Sequence, residues 1–198
     1  MLSLGSTGNI YAQIKHGAPF DVFLAADTET PQRLEKEGLG VAGSRFTYAT
    51  GRLVLWSPQA GFVDKQGDIL RKGAFQRLAM ANPKLAPYGA AAWQVMANLG
   101  LEEKLKPKLV QGENIAQAYQ FVVTENAQLG FVALSQVSMQ GQISQGSAWV
   151  VPTHLHASLQ QDAVVLARGQ GKAAVRELVV FLKSAKAKAI IQSYGYDL

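Results

Sequence analysis

Short apolar runs alternate with helix-forming stretches along almost the whole chain, and this alternation constrains the fold more than any other feature. Residues 20–26 (FDVFLAA) form an apolar run suited to a strand buried on both faces. Asp27 to Pro31 then supplies a cap and a first-turn proline for a helix running to Gly38. Residues 47–56 (TYATGRLVLW) are rich in β-formers and stop at Ser57-Pro58. Residues 74–81 fit either period, with a strand expected from about Arg77 because Asn82-Pro83 ends it. Further helices are expected over 89–99 and 113–124, with strands over 108–111 and 129–134. Strands over 148–152 and 163–167 and helices over 172–183 and 185–193 close the chain. Strands separated by helices argue for a parallel α/β architecture.

A chain of 198 residues can bury a sizeable core, as one domain or two small lobes. Although 48% of residues are hydrophobic, no apolar run approaches the roughly 20 residues that span a bilayer. The opening MLSLGSTGN lacks the basic and apolar regions of a secretory signal. The absence of cysteine removes disulfides, thiolate catalysis and zinc–thiolate sites without choosing a compartment. The formal charge of +5 favours diffusive encounter with anions. Its basic residues, among them Lys104, Lys106, Lys108, Lys183, Lys186 and Lys188, are scattered and form no stripe of Arg with interleaved aromatics, so no nucleic-acid partner is expected. Enzymatic signatures are lacking: there is no G-x-S-x-G, no Walker A and no G-x-G-x-x-G, and GQGK at 169–172 is too short to count. His16, His154 and His156 are the only histidines, and His154-x-His156 reads as an exposed loop rather than a metal pair. No catalysis and no metal site are expected.

In open α/β sheets, ligands bind beyond the carboxyl ends of strands, where the next helix begins. Three such turns stand out: Gly5-Ser6-Thr7-Gly8-Asn9, the stretch from Pro83 to Gly89, and Gln111-Gly112-Glu113-Asn114-Ile115. A helix start offers unpaired N–H groups and a partial charge of about half an elementary unit. Several starts aimed at one point make an anion site, and the hydroxyls of Ser6, Thr7 and Tyr88 would add neutral donors. Taken singly, each turn is equally an ordinary helix cap, and periodicity does not show that the three converge.

The same turns carry a resemblance. GSTGNIYAQIKHGAPFDVFLAAD (5–27) resembles the signature of the periplasmic molybdate- and tungstate-binding proteins. ANPKLAPYGAAA (81–92) and GENIAQA (112–118) are similar to that family's second and third anion loops, and LGFVALSQV (129–137) to a strand of its second lobe. The resemblance implies an α/β periplasmic-binding-protein fold of type II, in which two α/β lobes joined by a hinge close on an oxyanion. It implies a discontinuous lobe one over 1–50 and 150–198, and a lobe two over 51–149. Hinge strands are expected near 50–56 and 149–152. It also implies that Thr7, with Ser6 beside it, donates from lobe one, and that Tyr88 and the Ile115 amide donate from lobe two. Some relatives carry a tyrosine ligand where this chain has Ala133, which places the burden on Tyr88. Family members have a strand, a further anion loop and a helix ahead of the GSTGN block. Only Met1 to Leu4 stand there in this chain, so lobe one is expected to be N-terminally truncated and binding to be weak. The implied ligand is molybdate or tungstate as cargo, with no cofactor. The implied partner is the permease of an ABC importer, reached in the periplasm by a monomer.

Charge supports an anion of one kind. Residues 5–10 carry no charge, and the other two turns carry only Lys84 and Glu113. A fully ionised dianion accepts hydrogen bonds and donates none, so a shell of N–H and O–H donors suits molybdate, tungstate or sulfate. Protonated phosphate would need an acceptor. Two rivals stand beside an importer subunit for molybdate or tungstate: a related sulfate-type binding protein, and an effector-sensing domain of a transcriptional regulator.

Overall fold

The computed structural model describes residues 2–140 and 142–198. From the N-terminus, α1 (Thr7–Lys15), β1 (Val22–Leu24), α2 (Glu29–Lys36) and β2 (Phe46–Gly51) are followed by β3 (Leu53–Ser57) and α3 (Asp68–Lys72). The middle holds β4 (Leu78–Ala81), α4 (Pro87–Asn98), α5 (Glu102–Leu105), β5 (Leu109–Gly112), α6 (Ile115–Val123) and β6 (Leu129–Ala133). A short α7 (Leu134–Val137) leads into the hairpin β7 (Ser138–Met139) and β8 (Gln142–Ile143). After it come β9 (Ser147–Val150), β10 (Leu159–Val165), α8 (Ala173–Lys183) and α9 (Ala185–Ser193).

Two sheets organise these elements. The larger has the order β5-β4-β6-β3-β9 and the smaller β1-β10-β2. The parallel expectation holds only where β4 pairs with β5 and β6. β3 runs antiparallel to both β6 and β9, and the smaller sheet is antiparallel throughout. The architecture is therefore mixed α/β. Helical crossovers dictate parallel pairing only for strands they join directly, and neither β3 nor β10 is joined to its neighbours in this way.

Strand β3 shows why the larger sheet needs helices on both faces. All five of its residues are buried. Leu53 and Leu55 join the cluster formed with Val95 and Met96 of α4. Val54 and Trp56 point the other way, into the cluster that includes Val122 of α6. The period-two alternation thus feeds two cores rather than one core and solvent. A third core lies under the smaller sheet, where Ile10 and Ile14 of α1, Leu34 of α2 and Val164 of β10 pack with Phe23.

The run 47–56, read as one strand, is divided. Its first half belongs to the smaller sheet and its second to the larger, with Arg52 alone between them. The chain returns between β9 and β10, so two crossings connect the units. Strand β10 begins at Leu159, earlier than the sequence pattern indicates, and its register with β2 shifts between Gln161 and Asp162. A bulge of this kind re-aims side chains. It lets the consecutive Gln161 and Asp162, 4% and 0% exposed, both turn inward. Asp162 is paired there by Arg45 at 2.5 Å and by the Thr47 hydroxyl at 2.7 Å.

Candidate functional site between the two sheets

Each of the three singled-out turns opens a helix. Ser6 is the N-cap of α1, its extended backbone letting Oγ accept the Asn9 N–H at 3.4 Å. Thr7, the first residue of α1, is 6% exposed, and its Oγ1 accepts the N–H of Ala26 at 3.1 Å. Pro87 starts α4 with its ring in a position that needs no N–H, and Tyr88 follows it. Asn114 caps α6, its Oδ1 accepting the Gln117 N–H at 2.9 Å. Ile115 is then the first residue of that helix, where an amide has no intrahelical acceptor.

The starts of α1 and α4 are brought together. The N–H of Gly8 donates to the carbonyl of Leu85 at 2.9 Å, setting the start of α1 against the turn before α4. The side chain of Tyr88 is buried beside Gly51, and a Cβ at that glycine would overlap the Tyr88 hydroxyl. Tyr88 Oη accepts an N–H from Gln161 Nε2 at 3.1 Å. Gln161 Oε1 in turn accepts the Tyr48 hydroxyl at 2.9 Å, and the Ala25 carbonyl lies 3.1 Å from the same hydroxyl. Since Ala26 donates to Thr7, one network runs from Thr7 through Ala26, Ala25, Tyr48 and Gln161 to Tyr88. Among the described residues Ile115 has no bond to this network; it packs, as Ala26 does, against the large core cluster that contains Tyr88. Its carbonyl accepts Gln136 Nε2 at 3.3 Å, and Gln136 Oε1 accepts the Ala133 N–H at 2.9 Å. Ala133, where some relatives carry a tyrosine, is buried and presents no hydroxyl.

Burial governs the chemistry of these groups. It pushes the Tyr88 phenol well above its ordinary range, with Tyr196 nearby adding to the rise. The same cause raises Tyr48. Both therefore stay protonated and carry no charge. A cavity of about 450 Å³ lies alongside, bounded by Gly8, Ala26, Leu85 and Gln94 and also by Asp27 and Glu29. Burial pushes the Asp27 carboxyl upward, against the lowering effect of the Thr30 amide and hydroxyl. Two acidic side chains against a single lysine, Lys84, leave that cavity without a positive excess for an anion, and Ser6, Thr7, Tyr88 and Ile115 are not among its lining residues. The neutral donors at the helix starts are the better match.

Sequence reasoning missed Tyr48, Gly51 and Gln161. Gln161 sits in a segment (LQQDAVV) whose adjacent polar residues look exposed by period two, and only the bulge turns it inward. The lone glycine inside a β-rich run was the one available signal for Gly51, because glycine there marks close approach by another group. His154 and His156 lie in and beside a short 3₁₀ turn over Thr153–Leu155, with His156 Nδ1 2.7 Å from the Ala157 carbonyl. Among the described residues there is no cluster of three or more His, Asp or Glu able to hold a metal.

Two α/β units joined by two chain crossings, with helix starts facing one another between them, have the architecture of a hinged solute-binding protein. Residues 2–197 match the family model of bacterial extracellular solute-binding proteins. The molybdate-binding protein ModA of Azotobacter vinelandii is 59% identical over 99% of this chain and 78% of its own length. Its counterpart from Rhodobacter capsulatus is 49% identical over 98% and 75%. The solved structure of the Azotobacter vinelandii periplasmic molybdate-binding protein superposes with a TM-score of 0.95 at 41% identity, covering 99% of this chain and 86% of that one. The chain belongs to the bacterial extracellular solute-binding proteins and, within them, to the ModA family of molybdate-binding proteins.

Proposed function

We propose that the chain binds molybdate or tungstate as a tetrahedral dianion between its two lobes and delivers it to the permease of an ABC importer. In this reading lobe one comprises residues 1–50 and 150–198, and lobe two 51–149. The crossing at Arg52 and the return between β9 and β10 support a hinge there. The Thr7 hydroxyl with Ser6, the Tyr88 hydroxyl and the Ile115 amide donate to the anion, which is cargo and not a cofactor. The observation that carries the reading is the Gly8–Leu85 bond, which sets the uncharged start of α1 against the turn before α4. Helix starts stabilise negative charge without a counter-ion. A shell with donors and no acceptor favours a dianion that has no proton of its own. Longer metal–oxygen bonds distinguish molybdate and tungstate from sulfate by size, and the relatives' names favour the larger pair. A monomer delivering cargo to a membrane permease fits a periplasmic location, and among the described residues no helix is long and apolar enough to cross a membrane.

A thermal-shift panel with millimolar molybdate, tungstate, sulfate and phosphate tests this. Molybdate and tungstate should raise the melting temperature most, because a ligand that binds only the folded state stabilises it in proportion to the logarithm of its saturation. If no oxyanion shifted the transition, the reading would be wrong. Tyr88→Phe should weaken molybdate binding by about 1.5–3 kcal/mol, the range for a hydrogen bond to a charged group. Calorimetry showing unchanged affinity would remove Tyr88 from the site.

A further inference from the structure

The segment that follows α9 leaves the unit that carries it. Lys183, at the end of α8, holds its ammonium 4.3 Å from the centre of the Phe46 ring on β2, which places α8 with the smaller sheet, and α9 packs on α8. Beyond Ser193 the chain turns through Gly195, at φ +81°, and reaches α7 of the other unit. A Cβ at Gly195 would stand 3.0 Å from Leu134 Cδ2 and 3.0 Å from Ser138 Oγ, so the close approach demands glycine as much as the backbone angle does. The next residue touches the same helix: the hydroxyls of Tyr196 and Ser135 hydrogen-bond at 3.0 Å. Asp197 then returns to β2. Its N–H donates to the Thr50 carbonyl at 2.9 Å, and the Thr50 N–H donates to its carbonyl at 2.7 Å. The two bonds make an antiparallel bridge along the outer edge of β2. Arg52 Nε lies 4.0 Å from the Asp197 carboxylate, but both side chains are exposed and this pair adds little.

These attachments straddle the crossing between the sheets. Thr50 stands two residues before Arg52, and Leu134, the first residue of α7, donates its N–H to the Arg52 carbonyl at 2.9 Å. The crossings at Arg52 and between β9 and β10 are continuous backbone and survive any hinge angle. The hold of residues 195 and 196 on α7 differs in kind. It consists of one hydrogen bond and one closely packed glycine, and such contacts belong to the arrangement of units that makes them.

We propose that residues 194–198 form a strap across the hinge, which holds the two units in the arrangement seen here and slows release of the bound anion. The effect on release rests on the reading that the anion sits between the lobes. An anion enclosed there leaves only when the units part. A contact made in the closed state alone therefore lowers the dissociation rate and leaves entry into the open state unchanged. The strap acts beside the site as well as on the hinge, since Tyr196 lies near the buried Tyr88.

The test compares the wild-type chain with Tyr196→Phe and with a chain shortened to Tyr194. The sequence has no cysteine, so cysteines introduced at the exposed Lys36 of α2 and Gln120 of α6 take a nitroxide pair, one label on each unit. Pulsed electron resonance without ligand measures the distance between the labels, and release of radiolabelled molybdate into an unlabelled excess gives the dissociation rate. Tyr196→Phe should speed release about fivefold, the loss of one neutral hydrogen bond, and the shortened chain about tenfold or more. Both should lengthen and broaden the label distance, which separates a looser hinge from a direct effect on the site. Folded variants that keep the wild-type distance and release rate would overturn the strap and leave oxyanion binding intact. Should the shortened chain fail to fold, Tyr196→Phe alone decides by the same two readouts. A wild type that binds no molybdate, with a longer label distance in the variants, would overturn the binding reading and keep the strap.

Discussion

At the scale of single residues, burial and local partners set which groups carry charge. Tyr88 and Tyr48 lose hydration between the sheets, and burial keeps both phenols protonated and neutral. Glu37 behaves in the opposite way at the surface. The Tyr11 hydroxyl, then the Arg33 and Lys15 side chains, bond to its carboxylate and hold its pKa down at about 2, against an ordinary 4.5. A lowered pKa in the folded chain means stabilisation that is present above about pH 4.5 and lost as pH falls toward 2. The melting temperature of the wild type should therefore fall more steeply over that window than that of Glu37→Gln. Parallel curves would show that the cluster joining α1 to α2 contributes nothing measurable. Thr7 and Tyr88 could be picked out from the sequence because both stand in turns with their own local signature. Tyr48 and Gln161 could not, since a polar residue in a strand looks solvent-facing until its neighbours are known.

At the scale of elements, caps and helix starts were the most legible features. The expected starts of α4 and α6 lie within about two residues of those observed, because Pro87 and Asn114 mark them through local backbone chemistry, and Ser6 caps α1 inside the first singled-out turn. Asn114→Ala should cost about 1 kcal/mol of stability, the usual loss for an N-cap, measured by urea denaturation. It should also weaken molybdate binding, since the capped turn presents the Ile115 amide. A stability loss with unchanged affinity would separate α6 from the anion site. Strands were read less well. The run 47–56 has the composition of one strand, yet it serves two sheets, because nothing in a β-rich pattern records which partner lies on either side. Strand direction was misjudged for the same reason: parallel pairing is a property of connections between distant segments.

At the scale of the whole molecule, the two α/β units meet through backbone as well as side chains. The Gly8–Leu85 bond brings the start of α1 to within hydrogen-bonding distance of the turn before α4, and a Cβ at Gly8 would sit only 3.1 Å from the Leu85 oxygen. Gly8→Val should hold the units further apart. Small-angle scattering should then show a larger radius of gyration with molybdate present than for the wild type, and the anion should dissociate faster. Identical scattering and release rates would show that this contact does not govern closure.

The sequence by itself determined most element types, the helix starts, the sparse charge of three anion-suited turns and the family. All of these are local: a cap, a proline, a hydroxyl or a motif acts on its immediate neighbours whatever the rest of the chain does. Tertiary structure alone decided that the β-rich run divides at Arg52, that most strand pairs are antiparallel, and that a bulge turns Gln161 toward Tyr88. These depend on contacts between residues far apart in the chain, such as the 73 positions separating Tyr88 from Gln161. A pattern of period two or 3.6 identifies the face a residue occupies, but not what lies opposite it.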